Sequence, residues 1–251
     1  KIASWNVNSL NVRLPHVLQW LENHPVDVLA LQELKLDQDK FPISAIEEAG
    51  YHAVWFGQKT YNGVALLFKG EATDVVTGIP KYADEQRRMI AATINGVRII
   101  NVYCVNGEAV DSTKFAYKRE WFAALNAFVA QEMQQHEQVV LLGDFNIVPA
   151  DLDVYDAEKW QGKILCSTDE RQWFQQLLAL GLHDSFRSKR PEDVQYTWWD
   201  YRMNKRKLGL RIDHILVSTA LKETIVTVDV DEIARSWERP SDHAPITLEV
   251  A

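Results

Sequence analysis

Apolar and polar positions follow two periods along this chain, and the switches between them mark its elements. Residues 2–7 read as a strand that ends in the turn-prone Asn6-Val7-Asn8-Ser9. Leu14, Val17, Leu18 and Leu21 recur at helical spacing, with Pro15 tolerable in a first turn. Residues 27–32 then read as a buried strand ending at Glu33, so the first unit is strand, helix, strand. A short helix from near Pro42 closes at Gly50. From Tyr51 to Val105 the pattern becomes a run of strands, at 52–56, 63–68, 73–77, 89–94 and 97–105, with Asn95-Gly96 as a hairpin turn. A long amphipathic helix covers about 114–135 and puts Phe115, Phe122, Leu125, Val129 and Met133 on one face.

The stretch on which the rest converges comes next, Val-Val-Leu-Leu-Gly-Asp-Phe-Asn-Ile-Val-Pro at 139–149. A β-branched apolar run enters Gly143, and Pro149 stops any continuation. Side chains alternate in an extended chain, so Asp144 and Asn146 share one face while Phe145 anchors on the other. An acid and an amide thus stand together at the carboxyl end of a buried strand, where α/β proteins keep their chemistry. Asp and Asn also simply end strands and begin turns. A loop with Trp160 and Cys166, a helix at 169–180 and strands at 196–199, 211–217, 225–230 and 244–250 complete the chain. Strand-helix-strand followed by a meander, twice over, predicts an α/β fold of two similar halves, with mixed sheets face to face and helices outside. With no Gly/Ser-rich or charged linker, residues 1–251 read as a single domain.

Composition changes this picture little. The 251 residues, 47% hydrophobic and 25% charged, suit a globular chain with a sizeable core. No apolar run approaches membrane-spanning length, and neither a signal nor a transit peptide is expected. Two cysteines, Cys104 and Cys166, fit a reducing cytoplasm better than a disulfide framework. The net charge of −8 argues at first glance against a nucleic-acid partner. Two features weaken that argument: carboxylates that hold a divalent metal make a protein acidic without making its binding face repulsive, and the cations here are clumped. Lys114, Lys118 and Arg119 open the long helix. Trp198, Trp199, Tyr201, Arg202, Lys205, Arg206, Lys207 and Arg211 interleave aromatics with cations, which is nucleic-acid chemistry or, more plainly, a solvated loop.

Asn6, Glu33, Asp144 with Asn146, Asp213, and Asp242-His243 all fall at or near predicted strand ends. An ionised carboxylate inside Leu-Arg-Ile-Asp-His-Ile-Leu-Val is costly unless a cation, a metal or hydrogen bonds meet it. Each position also has a plain reading: Asn6 as a turn cap, Glu33 as a solvated strand end, Asp213 as the partner of Arg211, His243 as a structural histidine. Together they form a catalytic-site pattern. Oxygen ligands without a Cys or His cluster favour Mg²⁺ or Mn²⁺ over Zn²⁺, and a hard metal beside a His–Asp pair suits phosphodiester hydrolysis. No Walker loop is present, which argues against nucleotide-driven phosphoryl transfer.

These motifs are recognisable as a set. Trp5-Asn6-Val7-Asn8-Ser9, Leu31-Gln32-Glu33-Leu34-Lys35, Tyr61-Asn62-Gly63-Val64-Ala65, Gly143-Asp144-Phe145-Asn146, Tyr196-Thr197-Trp198-Trp199, Leu208-Gly209-Leu210-Arg211-Ile212-Asp213 and Ser241-Asp242-His243-Ala244-Pro245 occur in order along the whole chain. The chain resembles the exonuclease III family of DNA-repair nucleases, within the endonuclease/exonuclease/phosphatase superfamily. The resemblance implies a four-layer α/β sandwich of two mixed β-sheets flanked by helices. It makes Glu33 the principal metal ligand, helped by Asn6 and Asp242, with Asp37 contributing to a second position. Asp144 would activate the attacking water and Asn146 orient it. His243, paired with Asp213, would hold a phosphate oxygen or serve as base, and Tyr103 would donate to the phosphate. Asn62 and Arg87 would line the DNA groove, joined by Asn106, Lys118, Trp199 and Arg202.

One departure matters. Relatives that incise at abasic sites carry a small residue, then Gly-Phe or similar, then Thr, before a helix bearing Glu-Arg. Here the stretch is Lys163-Ile164-Leu165-Cys166-Ser167-Thr168-Asp169-Glu170-Arg171, with Leu165 near the usual Gly and no Phe. Leu165, Cys166, Trp199 and Leu210 are expected to wall the pocket that receives a flipped-out abasic sugar, and Leu165 to crowd it. The reading is therefore a monomeric Mg²⁺-dependent enzyme acting on duplex DNA with damaged, nicked or blocked 3′ termini, with internal abasic incision weakened. Alternatives are a full abasic-site endonuclease, a superfamily phosphodiesterase on a lipid or inositol phosphate, and a DNA-binding module without catalysis.

Overall fold

The structure, a computed structural model, describes residues 1–203 and 208–251. In chain order the first half contains β1 (Ile2–Asn6), α1 (Leu10–Asn23), β2 (Val28–Gln32), α2 (Ile43–Glu48), β3 (His52–Phe56), β4 (Val64–Phe68), β5 (Ala72–Thr77), β6 (Met89–Ile94) and β7 (Val97–Tyr103). There follow α3 (Thr113–Gln135), β8 (Val139–Asp144), α4 (Ala157–Trp160), α5 (Thr168–Leu178), β9 (Leu182–Asp184) and α6 (Ser185–Lys189). The chain ends with β10 (Trp198–Trp199), β11 (Gly209–Leu210), β12 (Asp213–Ser218), α7 (Thr219–Lys222), β13 (Ile225–Val230) and β14 (Ile246–Val250).

Two six-stranded sheets result, ordered β13-β14-β1-β2-β4-β3 and β5-β6-β7-β8-β12-β9. Each has one parallel pair at its centre, β1 with β2 and β7 with β8, and antiparallel neighbours elsewhere. The expected pair of mixed sheets is present, but the sheets do not coincide with the two halves of the chain: β5–β7 of the first half join the second sheet, and β13–β14 from the end of the chain join the first. Strand alternation decides how they stack. Ile2, Ala30 and Leu66 from one sheet meet Ile90, Leu142 and Ile215 from the other in a shared core. The opposite faces bury Ala3, Leu29 and Leu67 under Val17, Trp20 and Leu21 of α1, and Leu141 and Leu216 under Trp121, Leu125 and Phe174 of α3 and α5. Helix, sheet, sheet, helix is the four-layer sandwich. Central strands covered on both faces carry continuous apolar runs, as at 139–142.

Element boundaries differ from the sequence reading in places with a physical cause. The first helix begins at Leu10, where the Ser9 hydroxyl accepts from Val12 N–H at 3.4 Å. Pro15 thus lies in the second turn, beyond the positions where a missing N–H is free of cost. The strand expected at 211–217 begins only at Asp213, because Arg211 turns into a buried ion cluster. Its Nε donates to Asp153 at 2.7 Å and its Nη2 to Asp184 at 2.8 Å. Arg211 is therefore the partner of neither Asp213 nor DNA.

Two features bring the strand ends together. Gly143 has φ +141°, and a Cβ there would lie 1.9 Å from the Val102 carbonyl oxygen, so only glycine lets β7 and β8 approach at this point. Beneath them His214 is fully buried, its Nε2 2.9 Å from Ile147 O and its Nδ1 3.2 Å from Arg211 Nη1. Arg211 can only donate, so Nδ1 accepts and Nε2 carries the proton. Burial, and next Arg211, hold the imidazole down at about 4 from its ordinary 6.5, so it stays neutral at neutral pH. The unfolded chain binds more protons between those values, so this group's contribution is complete above 6.5 and is lost as pH falls towards 4. Urea unfolding of wild type and His214→Gln in parallel should show a wild-type loss between pH 7 and 5 that exceeds the variant's by about 2 kcal/mol. Equal losses would mean that His214 is protonated in the fold.

Candidate active site

Strand register assembles the site. Asn6 ends β1 opposite Gln32 of β2, which places Glu33 one residue beyond the parallel pair. Tyr103 of β7 lies opposite Asp144 of β8, and Asp144 opposite Asp213 of β12. His243 is brought in by a bridge to Trp198. Non-glycine residues with left-handed backbone gather at the same strand ends: Asn8, Ser9, Glu33, Lys35, Asn62 and Asn146 have φ between 45° and 87°. Such strain persists where surrounding contacts over-determine it.

Asp144 is the centre. Its Oδ2 accepts from Asn6 Nδ2 at 2.9 Å and its Oδ1 from the Asn146 N–H at 3.0 Å. Burial, then the charges of Asp213 and Glu33, push its carboxyl up to about 7 against the opposing pull of His243. His243 Nδ1 lies 2.8 Å from Asp213 Oδ2, and its Nε2 lies 3.6 Å from Asp144 Oδ2. Burial alone would lower the imidazole; Asp213 and Asp144 overcome it and raise it to about 10, so the ring is a cation at neutral pH. Glu33 is also opposed by burial, but the Tyr103 hydroxyl, Lys35, His243 and Asn6 hold it below the ordinary carboxylate range. Burial and Glu33 drive the Tyr103 phenol well above its ordinary value, so it remains a donor. Asp242 accepts from Asn8 Nδ2 at 3.3 Å and from Trp198 Nε1 at 3.0 Å.

A divalent cation fits this donor set. Asp144 and Asp213 bring carboxylate oxygens within 4.8 Å of each other, whereas the neighbouring His243, as an imidazolium, has no lone pair for a metal. Asp213 Oδ1 is buried with no hydrogen-bond partner, an arrangement that an added cation would relieve. Glu33 and Asp242 add further oxygens, and oxygen donors select hard metals. Asn6 bridges Glu33 and Asp144 through its NH₂, while its Oδ1, the atom a metal would use, accepts from Asn8 N–H at 3.0 Å. Asp37 precedes the 3₁₀ turn Gln38–Lys40, and its side chain makes no capping hydrogen bond there. A carboxyl poised near neutrality, a fixed cation, a phenol and amide donors suit attack of water on a phosphoester.

Fold and site together define a class, the metal-dependent phosphoester hydrolases built on paired mixed sheets. The chain matches the endonuclease/exonuclease/phosphatase family over residues 3–243, and it belongs to that family. It is 38% identical to exodeoxyribonuclease III of Haemophilus influenzae, over 99% of each chain. Among solved structures it resembles the 3′-5′ exonuclease NExo of Neisseria meningitidis, at 62% identity and TM-score 0.98 over 99% of this chain and 98% of that one. It is equally similar to a variant of the 3′ phosphatase NExo from Neisseria bound to a product DNA hairpin, at 61% identity and TM-score 0.98, over 100% of this chain and 98% of that one.

The residues read as DNA contacts separate into three groups. Asn106 is exposed, with Nδ2 3.3 Å from Asn146 Oδ1, and with Asn62, Arg88 and Lys114 it borders a cavity of about 420 Å³ beside the cluster. Arg87 lies next to it, tied to Gly57 O at 2.7 Å and stacked on Phe56. Arg202 is exposed and paired with Asp200 at 2.8 Å; Lys205, Arg206 and Lys207 lie outside the described residues. Lys118 and Trp199 need correction. Lys118 is wholly buried and pairs with Glu170, because the amphipathic face of α3 turns it inward. Trp199 is buried too, since neighbouring residues of a strand face opposite ways. Trp198, not Trp199, packs with Leu165, Cys166, Leu210 and Val148.

Sequence reading missed the residues that hold the site from behind. Lys35 Nζ bonds Asn8 Oδ1 at 2.6 Å and lies 3.3 Å from Glu33, and Ser241 Oγ donates to Asn6 O at 2.6 Å. Both lie within the quoted motifs, which was the available signal. Thr197 is fully buried and its Oγ1 accepts from the N–H groups of Ile212 and Asp213, both at 3.1 Å. Thr197→Val, which keeps the shape, leaves both donors unpaired and should cost about 1–3 kcal/mol in urea unfolding. An unchanged midpoint would show that a water replaces the hydroxyl.

Proposed function

We propose that this protein is a Mg²⁺-dependent DNA-repair phosphodiesterase that hydrolyses phosphoesters at DNA 3′ ends, as 3′-5′ exonuclease, 3′-phosphodiesterase and 3′-phosphatase, and incises internal abasic sites weakly. The activities named for its Neisseria relatives support the terminal reaction. The observation that carries the selectivity is Leu165. It is buried in one cluster with Val148, Leu210 and Trp198, whose Nε1 donates to Asp242, and it holds a left-handed φ of +73° where glycine is at ease. An apolar side chain in that wall takes space from a flipped-out sugar. The partner is duplex DNA with nicked or blocked 3′ termini. The protein acts as a monomer, and its free, buried Cys104 and Cys166 fit a reducing cytoplasm.

Glu33 would hold the metal with Asn6 and Asp242; Mn²⁺ suits the same oxygens. When bound, the metal neutralises the phosphate and the leaving oxygen. Asp144 takes the proton of the attacking water, a role its carboxyl near neutrality favours. Asn146 orients that water, its own N–H fixed on Asp144. His243, already protonated, holds a non-bridging oxygen rather than serving as base, and Asp213 keeps it charged and oriented. Tyr103 donates its hydroxyl to the phosphate. Asn62, Arg87, Asn106 and Arg202 border the path of the DNA, with Arg88 and Lys114 beside them.

Two labelled duplexes test this reading, one nicked with a blocked 3′ end, one with an internal abasic site, each with Mg²⁺ and with EDTA. Processing of the nick alone, abolished by EDTA, is expected; strong cutting of the internal site by the unaltered protein would defeat the selectivity. Leu165→Gly should raise internal incision by about tenfold or more, within the range a reshaped apolar pocket commands. No change would place the barrier elsewhere.

A further inference from the structure

Lys118 of α3 and Glu170 of α5 form an ion pair from which solvent is wholly excluded. A buried pair of this kind stabilises a fold poorly compared with apolar side chains of the same volume. What distinguishes this pair is what else it holds. The ammonium donates to Asn146 O at 2.7 Å and to Asn106 O at 3.0 Å, so its three hydrogens are all committed. Glu170 Oε2 accepts from Leu165 N–H at 2.9 Å as well as from Lys118, and Oε1 accepts from the Ser167 hydroxyl at 2.7 Å. Leu165 O in turn accepts from Val148 N–H at 2.9 Å. The packing is equally tight: a Cβ on Gly107 would lie 3.0 Å from Lys118 Cδ and 3.1 Å from Ile164 Cδ1. Three segments, at 104–107, 145–148 and 163–167, thus meet on one charge pair.

We propose that Lys118 and Glu170 are positioning residues that fix Asn146 and Asn106 relative to the segment bearing Leu165. One buried contact then sets both the orientation of the attacking water and the wall of the sugar pocket. This rests on the functional reading above. Neither residue touches substrate. Their effect on the reaction comes from holding Asn146 by its backbone oxygen while its side chain donates to Cys104 O at 2.9 Å and its N–H to Asp144.

The test uses the full chain carrying Lys118→Met and Glu170→Gln together, which removes the charges and nearly keeps the volume. Amide hydrogen exchange should accelerate by about tenfold or more in all three segments while β1 and α1 keep their protection. At a temperature where both proteins are folded, kcat on the blocked nick should fall by about tenfold to a hundredfold with KM within about threefold, the signature of misplaced groups rather than lost binding. Wild-type exchange in the three segments, or altered exchange with unchanged kcat, overturns the proposal. Should the double variant not fold, Glu170→Gln alone carries both measurements, since it keeps an acceptor for Leu165 N–H. A wild-type protein inert on both duplexes faults the functional reading instead, and the exchange result then judges the pair by itself.

Discussion

Three carboxylates converge where water is scarce, and the site is organised by the need to compensate them. Asp144 lies between Asp213 and Glu33, and burial adds to their repulsion. Each compensating group comes from a different part of the chain: the His243 cation, the Asn6 amide, the Asn146 N–H and, at Glu33, Lys35 and the Tyr103 hydroxyl. Residual unsatisfied capacity, at Asp213 Oδ1, is what a cation site requires. A hydrophobic core has no use for this arrangement. Its value lies in attracting a divalent ion and keeping a proton acceptor near neutrality.

That electrostatic demand explains the backbone around it. Strands that end at one level deliver side chains to a common point, but their polar tips must turn sharply. The left-handed conformations at Asn8, Glu33, Lys35 and Asn146 are those turns. Asparagine tolerates them through its short polar side chain, whereas Glu33 and Lys35 are held by their ionic contacts. Gly143 solves a different problem, the approach of β8 to the Val102 carbonyl, and no side chain can replace it.

Behind the cluster, stability and chemistry share residues. Arg211, Asp153 and Asp184 anchor the start of β12 through buried charge pairs, and neutral His214 fills the space between them and the aromatic rings of Phe145 and Phe174. Thr197 ties the first N–H groups of β12. Lys118 and Glu170 do the same for the segments on the other side of Asp144. The candidate groups are carried at strand ends, and Leu165 packs in a separate apolar cluster with Val148, Cys166 and Leu210.

Much of this was legible in the sequence because it depends on local pattern. Hydrophobic periodicity placed the long helix and most strands, since burying one face is a property of the element itself. The order of motifs identified Glu33, Asp144, Asp213 and His243, which register then brought to one place. What periodicity could not decide was direction. Lys118 reads as a surface cation, yet α3 buries it, because the helix carries a polar residue on its packed face to meet Glu170. Trp198 and Trp199 are indistinguishable in sequence, and only strand pairing with His243 and Leu210 shows which one faces the site. Arg211 could have served Asp213; the fold gives it Asp153 and Asp184 instead. Composition and spacing determined which elements form and which chemistry is present. The partner of each buried charge was decided by tertiary structure, because a charge is satisfied by whatever the packing brings within hydrogen-bond reach, however distant in the chain.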